Sequence, residues 1–85
     1  MILHTTEVIP LPDHRLFLRF NNGEAGEVDL SGELDGEVFE PLRNPALFAT
    51  AYQHPVMRTA VWANGADFAP EFLLDLLREQ GKRAA

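Results

Sequence analysis

Cysteine is absent from the 85 residues, which excludes disulfides and thiolate zinc sites and agrees with a reducing cytoplasm. Basic side chains are scarce: 7 Lys and Arg stand against 13 Asp and Glu, for a formal net charge of −6. Three of those seven (Arg78, Lys82 and Arg83) fall together near the end of the chain. A surface of this sign repels a phosphate backbone, so direct nucleic-acid binding is not expected. No apolar run approaches the ~20 residues of a membrane span. Met1-Ile2-Leu3-His4-Thr5 has neither the basic nor the apolar region of a secretory signal. The expectation is a cytoplasmic chain that does not enter membranes. Serine occurs once, as Ser31 in Leu30-Ser31-Gly32-Glu33, without the strand-turn-helix context of a nucleophile elbow. Gly23 and Gly65 each end a turn, and neither is followed by a phosphate-cradling motif. Catalytic residues and cofactors are therefore not expected, and the chain is read as not an enzyme.

What is present is ordinary globular material. Hydrophobic residues make up 46% and charged residues 24%, and the length admits one domain, residues 1–85. A chain this short buries only roughly 60% of its unfolded surface, so a partner protein or a second copy of itself can add to its stability.

The organising stretch is Val61-Trp62-Ala63-Asn64-Gly65-Ala66-Asp67-Phe68-Ala69-Pro70-Glu71. A strand ends at Trp62, Asn64-Gly65 turns the chain, and Pro70 opens a helix, where its missing N–H is no loss. Upstream, residues 3–11 read as a first strand closed by Pro10 and Pro12. From His14 the alternation puts Leu16, Leu18 and Phe20 on one face and Arg15, Phe17 and Arg19 on the other. Residues 24–30 return. A two-residue Asn22-Gly23 loop would set Leu18 against Glu27 and Leu16 against Asp29, driving acids into the core. A three-residue loop, Asn21-Asn22-Gly23 with Gly23 in the left-handed region, sets Leu18 against Gly26, Leu16 against Val28 and Arg15 against Asp29, and is the one expected.

Residues 31–43 read as an acidic loop with one helical turn, and Asn44-Pro45 as cap and first position of a short helix, 46–49. Residues 50–53 and 57–62 read as a hairpin around His54-Pro55. The last helix is expected from Pro70 to about Gln80, stopped by Gly81. The fold class is α+β: a small antiparallel β-meander of about five strands, a short helix, and a C-terminal helix packed on the sheet. In that helix Phe72, Leu73, Leu76 and Leu77 form one stripe, and Leu74 either reaches the sheet edge or awaits another chain.

Glu24, Glu27, Asp29, Glu33, Asp35, Glu37 and Glu40 lie between Arg19 and Arg43 with no basic residue among them. Asp29, Ser31, Glu33, Asp35 and Glu40 match several calcium-loop positions, but the glycine such a loop needs is Leu34, and a strand rather than a helix precedes it. A solvated loop that meets a basic partner suits these acids better. His4, His14 and His54 sit in separate segments and make no metal-ligand spacing, so no metal site is expected. Trp62 reads as a core anchor and Asp67 as a bonding partner of backbone N–H groups ahead of the helix, although tryptophan is also enriched at binding hot spots.

Taken in order, Ile9-Pro10-Leu11, Leu16 to Phe20 with Asn22-Gly23-Glu24, Val28-Asp29-Leu30, Phe39 with Pro41-Leu42, Pro45 with Phe48, and Trp62-x-Asn64-Gly65-x-Asp67-x-x-Pro70 resemble the bacterial domain of unknown function family 2442. The resemblance runs from Glu7 to Leu77. It implies a small prokaryotic α+β domain, found alone or joined to a helix-turn-helix, in some genomes beside another small protein in a setting like that of toxin–antitoxin pairs. It brings no catalytic residues with it. Where such chains carry Tyr or His early in the last helix, this one has Phe72-Leu73-Leu74.

The functional expectation is a non-catalytic interaction or accessory domain, antitoxin-like, working through another small protein or a second copy of itself. Its candidate contact residues are Trp62, Asp67, Leu74, Glu33, Asp35 and Glu37. The competing class is a small-ligand or metal binder, or an enzyme, using the acids of 29–40 with His14.

Overall fold

In a computed structural model the protein is described over residues 2–84, and its side chains over residues 2–82. Three antiparallel strands, β1 (Thr5–Leu11), β2 (Arg15–Phe20) and β3 (Ala25–Asp29), form the main sheet in that order. A 3₁₀ turn (Glu40–Arg43) and a short helix α1 (Pro45–Phe48) follow. A two-stranded sheet of β4 (Tyr52–Gln53) and β5 (Ala60–Val61) comes next, and α2 (Pro70–Ala84) ends the chain. The class is α+β with about five strands, as the pattern of residues predicts.

The β2–β3 register is the one that keeps acids out of the core. Leu18 pairs with Gly26, Leu16 with Val28 and Arg15 with Asp29. Phe20 N–H donates to the Glu24 carbonyl at 2.8 Å, and Gly23 takes φ +92°, a left-handed conformation that glycine adopts without a Cβ clash. The core-facing side of β2 and β3 is thereby apolar, and Thr5 of β1, opposite Phe20, is the buried polar residue beside it. Leu16, Leu18, Phe20, Val28 and Leu30 on that side are essentially inaccessible, and Leu34, Leu42, Phe48, Trp62, Leu73 and Leu74 close over them. The opposite face carries Arg15, Phe17 and Arg19, with ion pairs Arg15–Glu27 (3.5 Å) and Arg19–Glu7 (3.3 Å).

Asn44 caps α1 as expected, its side chain accepting from Ala46 N–H at 2.9 Å. Three expectations are corrected. The β4–β5 strands are only two residues each, because His54 Nδ1 accepts from the N–H groups of Val56 (3.1 Å) and Met57 (3.0 Å), and Arg58 turns left-handed at φ 55°. That local curl takes the N–H groups a longer ladder needs. Gly81 does not stop α2, which continues to Ala84. Leu74 is not held back for another chain: it is 5% exposed and belongs to the core.

Candidate functional site

The Trp62 corner is built as a closed unit. Trp62 N–H donates to the Ala66 carbonyl at 2.9 Å, Gly65 N–H returns to the Trp62 carbonyl at 2.9 Å, and Gly65 holds φ +86°. The indole is 1% exposed, donates from Nε1 to the Phe48 carbonyl at 3.0 Å, and meets Phe48 and Phe68 at ring distances of 5.6 and 5.8 Å. A buried indole with its one donor satisfied is a packing anchor. Asp67 contributes backbone, bridging to Val61. The side-chain bonding ahead of α2 comes from Asn64, whose Oδ1 accepts from Ala66 N–H (3.1 Å) and whose Nδ2 donates to the Val38 carbonyl (3.0 Å). Thr59 adds a hydroxyl bond to the Phe68 carbonyl at 2.6 Å. With Leu74 also interior, Trp62 and Leu74 leave the set of surface contact residues.

The acidic run is divided among separate places. Glu24 is held by Arg78 through two bonds of 3.1 and 2.9 Å, and the carboxylate raises the pKa of that guanidinium further. Asp35 pairs with Arg43 at 2.8 Å, while Arg43 also donates from Nε to the Leu34 carbonyl at 3.0 Å. Glu37 and Glu40 are exposed and do not line the groove described below. Asp29 and Glu33 line a groove. Among the described residues no group of three or more His, Cys, Asp or Glu is arranged to hold a metal ion. Each histidine is engaged with backbone: His4 with the Ile2 carbonyl (3.1 Å), His54 as above, and His14 with the Arg43 carbonyl (2.8 Å), its ring edge-on to Phe48 at 5.2 Å.

The groove runs between α2 and residues 29–33 and encloses about 700 Å³. Asp29, Ser31, Gly32 and Glu33 form one wall, and Phe72, Asp75, Leu76, Glu79 and Gln80 the other. Asp29 is fixed in position. Its carboxylate accepts from Ser31 N–H at 2.9 Å, and chiefly this bond, with Arg15 and His14 adding attraction, holds its pKa below the usual carboxylate value. Gln80 clamps the backbone of the same residue: Asp29 N–H donates to Oε1 at 2.8 Å, and Nε2 donates to the Asp29 carbonyl at 2.9 Å. Phe72 is the outermost ring of a stack, 5.1 Å from Phe68, which lies 4.6 Å from Phe39. Sequence reasoning named Glu33 but did not single out Asp75, and it put Phe72 in the core stripe, where it is 38% exposed; Leu76 and Leu77 pack against the core as that stripe predicts.

The sequence profile of a family described as "Protein of unknown function (DUF2442)" matches residues 5–79. Among curated proteins none matches. A crystal structure from Nitrosomonas europaea, of a protein described as a candidate DNA-binding protein, superimposes with a TM-score of 0.83 at 23% identity. The match takes in 96% of this chain and 53% of that one, so the chain spans about half the length of its structural neighbour. That likeness shows the fold.

Proposed function

The chain belongs to the DUF2442 family of proteins of unknown function, and from that premise we propose that it is a non-catalytic interaction module, an antitoxin-like accessory partner of another small protein. The observation that carries this reading is the groove of about 700 Å³ between α2 and residues 29–33, where Phe72, 38% exposed, and the partly buried Leu76 lie between carboxylates. Apolar side chains left uncovered in a concave, charge-rimmed surface are what a protein partner buries on binding. The carboxylates themselves are spread along two walls, an arrangement suited to a chain rather than to an ion.

A net charge of −6 opposes a phosphate backbone. In our reading any connection with DNA runs through a partner.

Co-expression with the product of the adjacent gene, followed by affinity capture and light scattering, tests the proposal. A stoichiometric hetero-complex is the expected result. A chain that stays monomeric beside that product, while its melting temperature rises with a metal ion or metabolite, would instead place it among ligand binders.

A further inference from the structure

A second concavity lies away from the groove, between the β1–β2 turn and α1, and encloses about 470 Å³, the size of a small-molecule site. Pro10, Leu11 and Pro12 line it on the strand side and Pro45, Phe48 and Ala49 on the helix side, with Asp13 and His14 at the turn. The two sides are tied together. His14 Nε2 donates to the Arg43 carbonyl at 2.8 Å just ahead of α1, its ring meets Phe48 edge-on at 5.2 Å, and its own carbonyl accepts from Leu30 N–H at 2.9 Å. Pro12 fixes one backbone angle of the turn. Asp13 and His14 follow at φ 65° and 59°, a region that aspartate and histidine enter more readily than most residues. The cleft is thus formed before anything enters it.

Its chemistry is one-sided. Three of the lining residues are prolines, which have no N–H, and the N–H groups of Phe48 and Ala49 are spent on the Asn44 and Pro45 carbonyls. A carbonyl only accepts, so the bond to Arg43 puts the proton of the neutral His14 ring on Nε2 and leaves Nδ1 an acceptor. Asp13 brings the one charged side chain that is acidic, and among the described residues its carboxylate has no ion pair or hydrogen bond. Apolar walls, an unpaired carboxylate and an imidazole acceptor complement an apolar body that ends in a charged donor. We propose that this cleft binds a small organic cation, an aryl- or alkylammonium, with its hydrocarbon on Leu11, Pro45 and Phe48 and its N–H groups toward Asp13 and His14. An anion meets the wrong charge there and too few donors. A hard metal ion finds one carboxylate where it needs several oxygen ligands, and no metal-holding group is present among the described residues. The site stands apart from the groove and needs no protein partner.

The probes share one hydrocarbon body and differ in charge: phenethylamine, phenethyl alcohol and hydrocinnamate. They are titrated into the full chain at about pH 8, where imidazoles are neutral and the amine is charged. Amide NMR shifts are the readout, since ligands of this size bind an open cleft at about millimolar strength. The amine should saturate and move the amides of Leu11, Asp13, His14 and Ala49. The alcohol should bind at least about threefold more weakly and the anion at least about tenfold. Asp13→Asn should bring the amine within about twofold of the alcohol, because asparagine also takes the left-handed conformation and only the charge is lost. Glu37→Gln, the same loss of charge outside the cleft, should change amine binding less than about 1.5-fold. Ala49→Phe fills the helix side and should abolish binding of amine and alcohol alike, with circular dichroism confirming that the chain is folded. Amine shifts spread over the acidic surface instead of the cleft, an amine no tighter than the alcohol, or equal weakening by Asp13→Asn and Glu37→Gln overturns the assignment. So does undiminished binding to the folded Ala49→Phe chain. The ligand series is read on the unaltered protein, so it decides the matter whichever variant folds.

Discussion

At one edge of the main sheet, Gln53 reaches from β4 to β1. Its Nε2 donates to the Thr5 carbonyl at 2.6 Å, and its Oε1 accepts from the Thr5 hydroxyl. At the other edge, Gln80 reaches from α2 to β3 and bonds both backbone groups of Asp29. Gln80 supplies Asp29 with both the donor and the acceptor that a further strand would have supplied. Gln53 supplies Thr5 with the donor and the Arg58 carbonyl supplies the acceptor, so one residue of each edge strand is bonded on its outer side. The surroundings differ. Thr5 is 0% exposed and also receives the small sheet through its N–H to the Arg58 carbonyl at 3.0 Å, whereas Asp29 is exposed and lines the groove. Carboxamide bonding thus closes the interior on the β1 side and shapes one wall of the groove on the β3 side.

The comparison breaks hardest at Trp62, which anchors the chain leaving β5 and so holds the small sheet against β1. Trp62→Ala leaves a cavity and removes one of the two donors to the Phe48 carbonyl, the Ala51 N–H at 3.3 Å remaining, and should cost about 3–5 kcal/mol. Against a total of about 5–15 kcal/mol, that leaves a chain partly unfolded in the absence of denaturant. Urea unfolding followed by near-ultraviolet circular dichroism measures it. A loss below about 1 kcal/mol would mean the corner is not what secures the β1 edge.

Gln53→Leu and Gln80→Leu put the two edges side by side. The first strands the buried carbonyl of Thr5, whose hydroxyl keeps the Arg58 carbonyl at 3.2 Å, and should cost about 1–3 kcal/mol. The second exposes the same kind of backbone groups to water, which rebonds them, and should cost about 0.5–1 kcal/mol. Equal losses in urea titrations would show that burial is not what separates the edges.

How much of this the sequence carried depends on range. The β2–β3 register was legible because only one loop length keeps Glu27 and Asp29 out of the core, and the Trp62 corner because Gly65 and Pro70 each permit little else. Gly81 was misread for want of a tertiary term. Glycine inside a helix costs about 1 kcal/mol, but the turn before it is fastened to β3 by Gln80, and α2 runs on. Leu74 was ambiguous because a helical stripe tells which residues share a face and not which face meets the sheet. The groove was out of reach: its walls, at 29–33 and 72–80, are some forty residues apart in the chain, and no local pattern says that they converge. Three of the seven acids that looked like one patch, Glu27, Asp35 and Glu24, are paired with Arg15, Arg43 and Arg78 from other segments.

The smallest effect is expected where the β3 edge meets the groove, in the titration of Asp29. Its folded-state pKa lies below the ordinary carboxylate value, first through the Ser31 N–H bond and then through Arg15 and His14. A depressed folded pKa means that the unfolded chain binds the proton more readily. The stabilisation is therefore complete above the unfolded value of about 3.9 and is lost as pH falls below it, through the folded pKa. Asp29→Asn keeps an acceptor for Ser31 N–H and has no charge to lose. Wild type should exceed the variant in urea midpoint at neutral pH, and the gap should narrow steadily below about pH 4. Because Asp29 is exposed the gap is small, and solvent screening reduces it further as salt is added. A gap that widens toward acid would reverse the sign and place Asp29 under the control of a neighbouring carboxylate across the groove rather than of the Ser31 amide.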